Sequence, residues 1–429
     1  MRRLLPVLPV LLLAACEGKS SAPPAPVATT APSPAPTQEK PVVTSPSDPN
    51  AFVKGHNNFA VELYGKLPSG NVAASPASIT IALAMTWAGA KGATADEIAK
   101  TLHFVGDQPE VLSRWGHITE ALAATKGPFV LRLANRLFVD KHRELDTVFF
   151  DINMKTFGAR TDVFDFQAEP DDARQKINFW VAQQTEQRIK DLLPPRSITS
   201  ATRLVVVNAI YMLAEWQTPF DPNATRAKPF HVSATEAKQV PTMHRLGNYR
   251  YAKGDGAALL ELPYKHLEFD VVPDVAGELA MYVLLPDAVD GLPAIEAKLA
   301  DTIRALQGKL AETRVSIALP KFTIDPPGPL ELQQTLGELG IKTAFTPAAD
   351  FSGITKTTTE PLFISNVMHK AFVKVDEKGT EAAAATAIGA PYGAPPAPGT
   401  PFVADHPFVF MIIDRSSGLI LFIGRVASP

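Results

Sequence analysis

The chain has 429 residues, of which 46% are hydrophobic and 20% charged, so it is long enough and apolar enough to bury a sizeable core. Its 41 Lys and Arg residues face 44 Asp and Glu residues, and the formal charge of -3 lacks the basic surplus that binding to nucleic-acid phosphates requires. We therefore expect no nucleic-acid partner. A single cysteine excludes a disulfide framework and a thiolate zinc site, so packing must hold the fold together.

The N-terminal segment is typical of a secretory signal. Arg2 and Arg3 precede the run at residues 4–15, which is apolar but too short to span a bilayer as a permanent helix. The run ends in LAAC, which resembles the lipobox of bacterial lipoproteins, so we predict removal of residues 1–15 and lipidation of Cys16. The alternative is an ordinary signal peptide with an incidental cysteine. The lipid would hold an exported protein on a membrane of the cell envelope, in the periplasm or on the outer surface, or facing the extracellular space.

A segment that cannot form a core follows this cysteine. Of the 34 residues at 17–50, 23 are Pro, Ala, Ser or Thr, and none is aromatic, Leu or Ile. We interpret residues 16–50 as a tether that carries the lipidated Cys16. Residues 51–429 contain no second linker of this kind and no repeat, so we expect them to form one domain.

The order of patterns along residues 51–429 predicts an α+β fold. Apolar residues recur at helical spacing between Phe52 and Leu67, and Ser75 followed by Pro76 is typical of a helix start. Runs rich in β-branched residues dominate from about residue 203 onward, and the last of them turns back on itself at Ser417 and Gly418. Because several of these runs are apolar on both faces, we expect a large sheet that is covered on one side by helices.

Motifs of the common enzyme classes are absent. The sequence has no Gly-x-Ser-x-Gly, Ser-x-x-Lys, His-Glu-x-x-His, Gly-x-x-x-x-Gly-Lys or Gly-x-Gly-x-x-Gly pattern. Its nine histidines are scattered rather than paired at ligand spacing. We therefore expect neither a metal, nor a cofactor, nor an enzymatic activity.

The most unusual composition lies in a segment of small residues that begins near Asp376. The β-like run KAFVKVDE continues into KGTEAAAATA and then into a Pro-rich stretch. Small side chains would let such a segment enter between existing strands, and a glycine at its base would permit a hinge. If the segment forms a β-strand, successive side chains point to opposite faces, so Thr380 and every second residue after it would face inward. The alternative is an Ala-rich helix or a plain linker.

From this hinge onward the chain resembles the serpin family, over nearly the whole domain. The hinge DEKGTEAAAATA is the most specific match. It is supported by NVAASPASITIALAM at 71–85, LANRLFVD at 133–140, INFWV at 177–181, LVVVNAIYM at 204–212, LPKF at 319–322, ADFSGI at 349–354, VMHKAFVKVDE at 367–377, ADHPFVF at 404–410 and GLILFIGRV at 418–426.

The resemblance implies helices packed around three β-sheets with an exposed reactive-centre loop, here at about residues 377–401. It implies a monomer whose loop is bait for a serine or cysteine protease. Cleavage would let the loop insert into the central sheet while the protease is still held as a covalent acyl complex. The hinge would comprise Glu377, Gly379, Thr380, Glu381, Ala382, Ala383, Ala384 and Ala385.

The family's usual hinge length places the bait bond between Gly393 and Ala394. These small residues suit elastase-like or subtilisin-like proteases. A shift of one residue would make Tyr392 the specificity residue and would favour a chymotrypsin-like target. No Arg or Lys lies in this stretch, which disfavours trypsin-like targets.

Five further positions match family motifs of the central sheet. Ser75, Ser78, Asn208 and His369 match the shutter, the polar cluster beneath the strands that must separate. Trp216 matches the breach, where insertion begins. Taken singly, each would be read as a cap, a turn or a core residue. Two rival functions stay open, namely a non-inhibitory serpin that is cleaved as a substrate or acts as a binding protein, and a hydrolase with an unidentified nucleophile.

Overall fold

Two hydrogen-bonded sheets and a set of helices build the part of the chain that the computed structural model describes, namely residues 48–123, 129–266, 277–356, 359–380 and 398–429. The α-helices in this part are α1 Pro49–Tyr64, α2 Pro76–Trp87, α3 Gly92–Thr101, α4 Gln108–Ala123, α5 Thr147–Phe157, α6 Pro170–Gln184, α7 Leu292–Glu296, α8 Leu299–Gln307 and α9 Leu332–Leu339. None of them is both long enough and apolar enough to cross a bilayer.

The strands in the same part of the chain fall into consecutive blocks, each within one of the two sheets. They are β1 Val72–Ala74, β2 Phe129–Asp140, β3 Thr161–Phe164, β4 Leu204–Glu215, β5 Arg226–His231, β6 Ala237–Gly254, β7 Ala257–Pro263, β8 Leu279–Pro286, β9 Ala311–Pro320, β10 Phe322–Ile324, β11 Leu330–Glu331, β12 Ile364–Val375, β13 Gly379–Thr380, β14 Thr400–Val403, β15 Phe408–Asp414 and β16 Ile420–Val426. Strands β2–β4 and β10–β13 lie in one sheet, and β1, β5–β9 and β14–β16 lie in the other.

The seven-stranded sheet, called the central sheet below, has the order β10-β12-β13-β4-β2-β3, with β11 on β12. The nine-stranded second sheet has the order β1-β16-β15-β8-β7-β6-β9-β14, with β5 on β6. The resemblance implies three sheets, whereas the ladders of the described residues form two. The reason is the 18-residue strand β6, which pairs with β5 and β9 along most of its length and with β7 at its end. It thereby joins two expected sheets into one.

Helix α2 runs through the core, where all of its 12 residues are buried. Its predicted start is confirmed, because the Ser75 side chain accepts a hydrogen bond from the Ser78 amide and Pro76 occupies the first turn. The predicted turn at Ser417 and Gly418 is confirmed as well. Gly418 has a φ of 80° there, which glycine adopts at little cost.

Two expectations differ from the structure. Helix α1 ends at Tyr64 rather than continuing to Leu67, because Gly65 follows and the amides of Lys66 and Leu67 donate to the Leu63 and Tyr64 carbonyls in tighter three-residue turns. Strand β2 places a long strand in the half of the chain where helices were expected to dominate. It pairs along almost its whole length with β4, so a partner distant in sequence stabilises it.

Candidate functional site

The site is a gap between two strands of the central sheet. Strands β4 and β12 pair in parallel from Leu204 and Ile364 as far as Tyr211 and Phe372. Beyond that point the two strands separate, and β13 lies between them, antiparallel to both. The first two residues of the predicted insertion segment therefore already occupy a strand position within the sheet.

Only glycine fits at position 379, because the backbone of strand β4 lies too close for a side chain. The register partner of this glycine is Glu215, and a Cβ atom added to Gly379 would lie 1.9 Å from the carbonyl oxygen of Ala214. No side chain fits at that separation. The glycine at the base of the hinge is therefore required by packing between backbones, in addition to any freedom it gives the hinge.

The next residue along β13, Thr380, faces the interior, as the alternation predicts. Its side chain is fully buried, and its Oγ1 lies 2.8 Å from the hydroxyl oxygen of Tyr264. The Tyr264 ring stacks on Trp216 with centroids 4.7 Å apart. Burial raises the pKa of Tyr264, so its hydroxyl stays protonated and forms a neutral hydrogen bond. This pocket fits a small neutral side chain and would exclude a charged one.

Three hydrogen bonds, from Lys321, Thr225 and Phe220, hold Glu377, the residue that starts the hinge. The Glu377 carboxylate accepts hydrogen bonds of 2.7 Å from Lys321 Nζ and of 2.7 Å from Thr225 Oγ1. The Glu377 carbonyl accepts a third, also 2.7 Å long, from the Phe220 amide. Burial acts to raise the pKa of Glu377, but the hydrogen bonds from Lys321 and Thr225 outweigh burial and hold that pKa below its usual value. The carboxylate is therefore charged at neutral pH.

Trp216 also binds the base of the hinge. Its backbone amide donates to the Lys378 carbonyl at 2.7 Å, and its ring Nε1–H donates to the Asp376 carbonyl at 2.9 Å. Trp216 and the three residues that hold Glu377 therefore together contact all three residues before Gly379. The structure brings the predicted breach residue to the predicted hinge.

The four predicted shutter residues lie together where β4 and β12 are still paired. Asn208 and His369 are direct register partners across the two strands, and Nδ1 of His369 hydrogen bonds to Oδ1 of Asn208. His369 Nε2 accepts from the Ser75 amide at 3.1 Å, and Asn208 Nδ2 donates to the Ser78 carbonyl at 2.7 Å. All four side chains are buried. A strand that enters here would have to separate Asn208 from His369.

These contacts determine the protonation state of His369. Since its Nε2 accepts from a backbone amide, the ring proton must lie on Nδ1, where it is donated to Asn208. Burial lowers the pKa of His369 to about 3. The ring is thus neutral, and both of its nitrogens are hydrogen bonded.

Four residues of the site were not singled out from the sequence. Asn135 of β2 accepts from Asn208 Nδ2 at 2.5 Å and extends the shutter to a third strand. Lys321, Thr225 and Tyr264 complete the hinge contacts described above. Asn135 and Lys321 lie within the motifs LANRLFVD and LPKF, so the resemblance offered a signal for them. Nothing in the sequence points to Thr225.

Several predicted residues lie outside the described part of the chain: the hinge residues Glu381, Ala382, Ala383, Ala384 and Ala385, the bait residues Tyr392, Gly393 and Ala394, and the lipidation residue Cys16. Their assignments stay predictions. Within the described residues, no group of His, Cys, Asp and Glu could hold a metal ion.

Comparison with known proteins agrees with the resemblance. A family model described as Serpin (serine protease inhibitor) matches residues 54–429. The leukocyte elastase inhibitor of Bos taurus is 38% identical over 389 residues, which cover 87% of this chain and 98% of that protein. A highly specific serpin of the insect Tenebrio molitor has a solved structure that is 35% identical, with a TM-score of 0.77, and the match covers 88% of this chain and 98% of the other. Human thyroxine-binding globulin, solved with its ligand, is 28% identical with a TM-score of 0.78 over 89% of this chain and all of the other.

Proposed function

The chain belongs to the serpin family of serine protease inhibitors, and from that premise we propose that it traps a serine or cysteine protease as a covalent acyl complex. The observation that carries the proposal is β13, whose two residues lie between β4 and β12. The gap is already open at the end where the loop would enter. The buried Thr380 side chain, hydrogen bonded to Tyr264, supports the proposal, since it is the first inward-facing side chain of the segment.

The proposed reaction begins as ordinary proteolysis. The nucleophile of the protease attacks the carbonyl carbon of the bait residue, the bond to the next nitrogen breaks, and that nitrogen leaves with a proton from the general acid. An ester or thioester then joins the inhibitor to the protease. If the freed segment inserts before water cleaves this bond, it pulls the protease away from its substrate pose. Deacylation then stops because the catalytic groups are displaced.

Insertion would replace one ladder by two. In the intact molecule β4 and β12 bond to each other from Leu204 and Ile364 onward, whereas an inserted strand would bond to both. Each ladder bond contributes about 1 kcal/mol net, and ordering each residue costs roughly 1–2 kcal/mol. These terms nearly cancel, so the fit of side chains into the gap must decide the outcome. The hinge has small residues at the positions that must enter.

The proposed targets are elastase-, subtilisin- or chymotrypsin-like proteases. Two observations support this choice, namely the small residues at Gly393 and Ala394 and the relation to leukocyte elastase inhibitors. Tyr392 supports a chymotrypsin-like target if the cut is shifted by one residue. The mass of the C-terminal peptide that cleavage generates would identify the bond.

Incubation with each protease class, followed by denaturing electrophoresis, tests the proposal. We expect an adduct that survives denaturation and has the summed mass of the protease and the cleaved chain. The variant Thr380→Glu should be cut at the same bond without forming the adduct, because a charge would have to enter the buried pocket of Tyr264. Thr323→Glu, on an exposed position of the same sheet, is the matched control and should form the adduct normally.

Two outcomes would contradict the inhibitory proposal. If the wild-type chain were cleaved and every protease remained active, it would be a substrate or a binding protein, a role that thyroxine-binding globulin illustrates for this fold. If Thr380→Glu trapped protease as well as the wild type, insertion through this gap would not be the trapping step.

For its location we propose a lipoprotein that is exported and tethered by residues 16–50. The proposal rests on Cys16, the only cysteine, which ends an apolar run at lipobox spacing. Cells fed a radiolabelled fatty acid should label the wild type, and Cys16→Ser should move the protein from the membrane fraction to the soluble one. Label retained by Cys16→Ser would contradict this proposal.

A further inference from the structure

A pocket of about 410 Å³ lies on the second sheet, away from the gap in the central sheet. Strands β5, β6, β9 and β14 all contribute to its lining. Its volume is within the range of about 300–1,000 Å³ that small-molecule sites occupy. Much of its wall is apolar and consists of Pro229, Phe230, Ala318, Pro401 and Val403.

The framework of this pocket is held by backbone hydrogen bonds. Ala404, directly after β14, donates to the Ala318 carbonyl on β9 at 2.9 Å, and His231 at the end of β5 donates to the Asp405 carbonyl at 2.6 Å. On the floor, His244 of β6 pairs in register with Ala318. These contacts tie the lining strands together, so the pocket is preformed.

Two polar side chains of the pocket, His244 and Lys228, have groups without a partner among the described residues. Nε2 of His244 is buried and has no hydrogen-bond partner among the described residues. Lys228 is at the exposed rim and forms no ion pair within the described part of the chain. The carboxylate of Asp405 also lines the pocket. Its Oδ1 lies 2.7 Å from Nδ1 of His406 and forms a hydrogen bond with that ring.

The electrostatics of the pocket favour an anion. Burial lowers the pKa of His244, and the positive charges of Lys228 and Arg226 lower it further. At neutral pH the ring is therefore uncharged and can donate a single N–H, while Lys228 supplies a positive charge at the rim. With its proton on Nε2, His244 can donate to a ligand, so a ligand that accepts a hydrogen bond and carries a negative charge satisfies both groups, and a hydrocarbon body matches the apolar wall.

We propose that this pocket binds a small organic monocarboxylate whose carboxylate pairs with Lys228 and accepts a hydrogen bond from His244, while its hydrocarbon body lies on the apolar wall. The pocket is too large for an acidic side chain of a docked protein to fill, which favours a free molecule. The proposal does not depend on protease inhibition, because every residue it uses lies outside the hinge, the breach and the shutter.

The ligand would also hold the strand that follows the bait. In the described residues, β14 is a four-residue edge strand whose partner is β9. A ligand whose carboxylate pairs with Lys228 on β5 while its hydrocarbon body contacts Val403 on β14 would link this edge to a second strand. We therefore expect the backbone amides of β14 to exchange more slowly when the pocket is filled.

Isothermal titration of the intact, uncleaved protein with octanoate tests the proposal. We expect one site, and no binding of octanol or octyltrimethylammonium at the same concentrations. Lys228→Gln should weaken octanoate binding about tenfold by removing the charge-assisted contact. Ser316→Phe, which places a ring at the exposed rim, should abolish it, and the matched control Lys238→Gln, on β6 outside the pocket, should leave it unchanged.

A second readout separates this site from nonspecific binding of a fatty acid. The imidazole carbon-bound proton signals of His244, assigned with His244→Gln, should shift on titration with octanoate and should not shift with octanol. Equal affinity for octanol and octanoate, or unchanged affinity in both Lys228→Gln and Ser316→Phe, would overturn the proposal. Adduct formation with a protease is measured separately, so failure here would leave the proposed function standing.

Discussion

His369 couples the stability of the shutter to pH. In an unfolded chain its pKa is near 6.5, whereas burial lowers it to about 3 in the folded protein. Between these values the unfolded state binds the extra proton, so stability falls as the pH falls from 6.5 toward 3, by about 1.4 kcal/mol per unit. His56, buried against Trp115, has its pKa lowered to about 4 and acts in the same direction.

We therefore expect the free energy of unfolding to drop by several kcal/mol between pH 7 and pH 5, about 2 kcal/mol of it from each histidine. Guanidinium titrations at a series of pH values would measure this slope. His369→Gln should lower the stability at pH 7 but give a shallower slope, because the variant lacks the buried ring that the unfolded state protonates. An unchanged slope in His369→Gln would show that other groups carry the pH dependence.

Glu377 controls how firmly the base of the hinge is held. Glu377→Gln removes the charge that Lys321 contacts, and since Glu377 is largely buried we expect a loss of about 1–2 kcal/mol. The melting temperature of the intact protein should fall by a few degrees. The matched control is Glu236→Gln, whose ion pair with Lys238 is exposed and 3.8 Å long and should contribute almost nothing.

A double-mutant cycle would show whether the contact itself is responsible. If the pair acts as a unit, Lys321→Met should cost little in the Glu377→Gln background and more in the wild type. Additive losses would mean that each side chain stabilises the protein through other neighbours.

The gap between β4 and β12 should accept a strand from outside the chain. A synthetic peptide with the sequence of residues 381–391 ends at Pro391, which lacks the N–H that a longer ladder would need. We expect it to bind slowly to the intact protein, raise its melting temperature and prevent adduct formation, since β-strand addition fills the gap that the loop needs.

Two altered peptides test whether the side chains alternate between inward-facing and outward-facing positions, as they do in a β-strand. Glutamate at the positions of Ala382 and Ala384 would point inward and should abolish binding, because the charges would be buried. Glutamate at the positions of Ala383 and Ala385 would point outward and should be tolerated. Equal binding of both peptides would mean that they do not enter as an ordered strand.

Local elements were accessible from the sequence, whereas the contacts between them were not. The cap at Ser75 and the turn at Gly418 depend on neighbours a few residues away, and both are confirmed. The contact of Tyr264 with Thr380 joins positions 116 residues apart and depends on strand register, for which the sequence holds no local signal. Pairing of Thr380 in the sheet gains ladder hydrogen bonds but costs backbone ordering, and these two free energies nearly cancel. The sequence pattern therefore does not predict that residues 379–380 form strand β13.

The whole molecule must hold energy that cleavage releases if it acts as proposed. Strands β14, β15 and β16 follow the bait and pair with β9, β8 and β1 respectively, and β15 also pairs with β16, so the piece cut off after the bait stays bound. The melting temperature of the nicked protein therefore still measures the unfolding of both pieces together. Any gain in stability must then come from strand insertion rather than from loss of a fragment.

We expect the protein nicked at the bait to melt well above the intact protein. A gain of about 5 kcal/mol would raise the midpoint of a domain of this length by roughly 6 °C. Differential scanning calorimetry of intact and nicked protein would measure this shift. Nicked Thr380→Glu should melt near its own intact form, because its loop is cut but cannot enter past Tyr264. Equal midpoints for nicked and intact wild type would show that cleavage releases no stored energy, and the proposed trapping step would then lack its driving force.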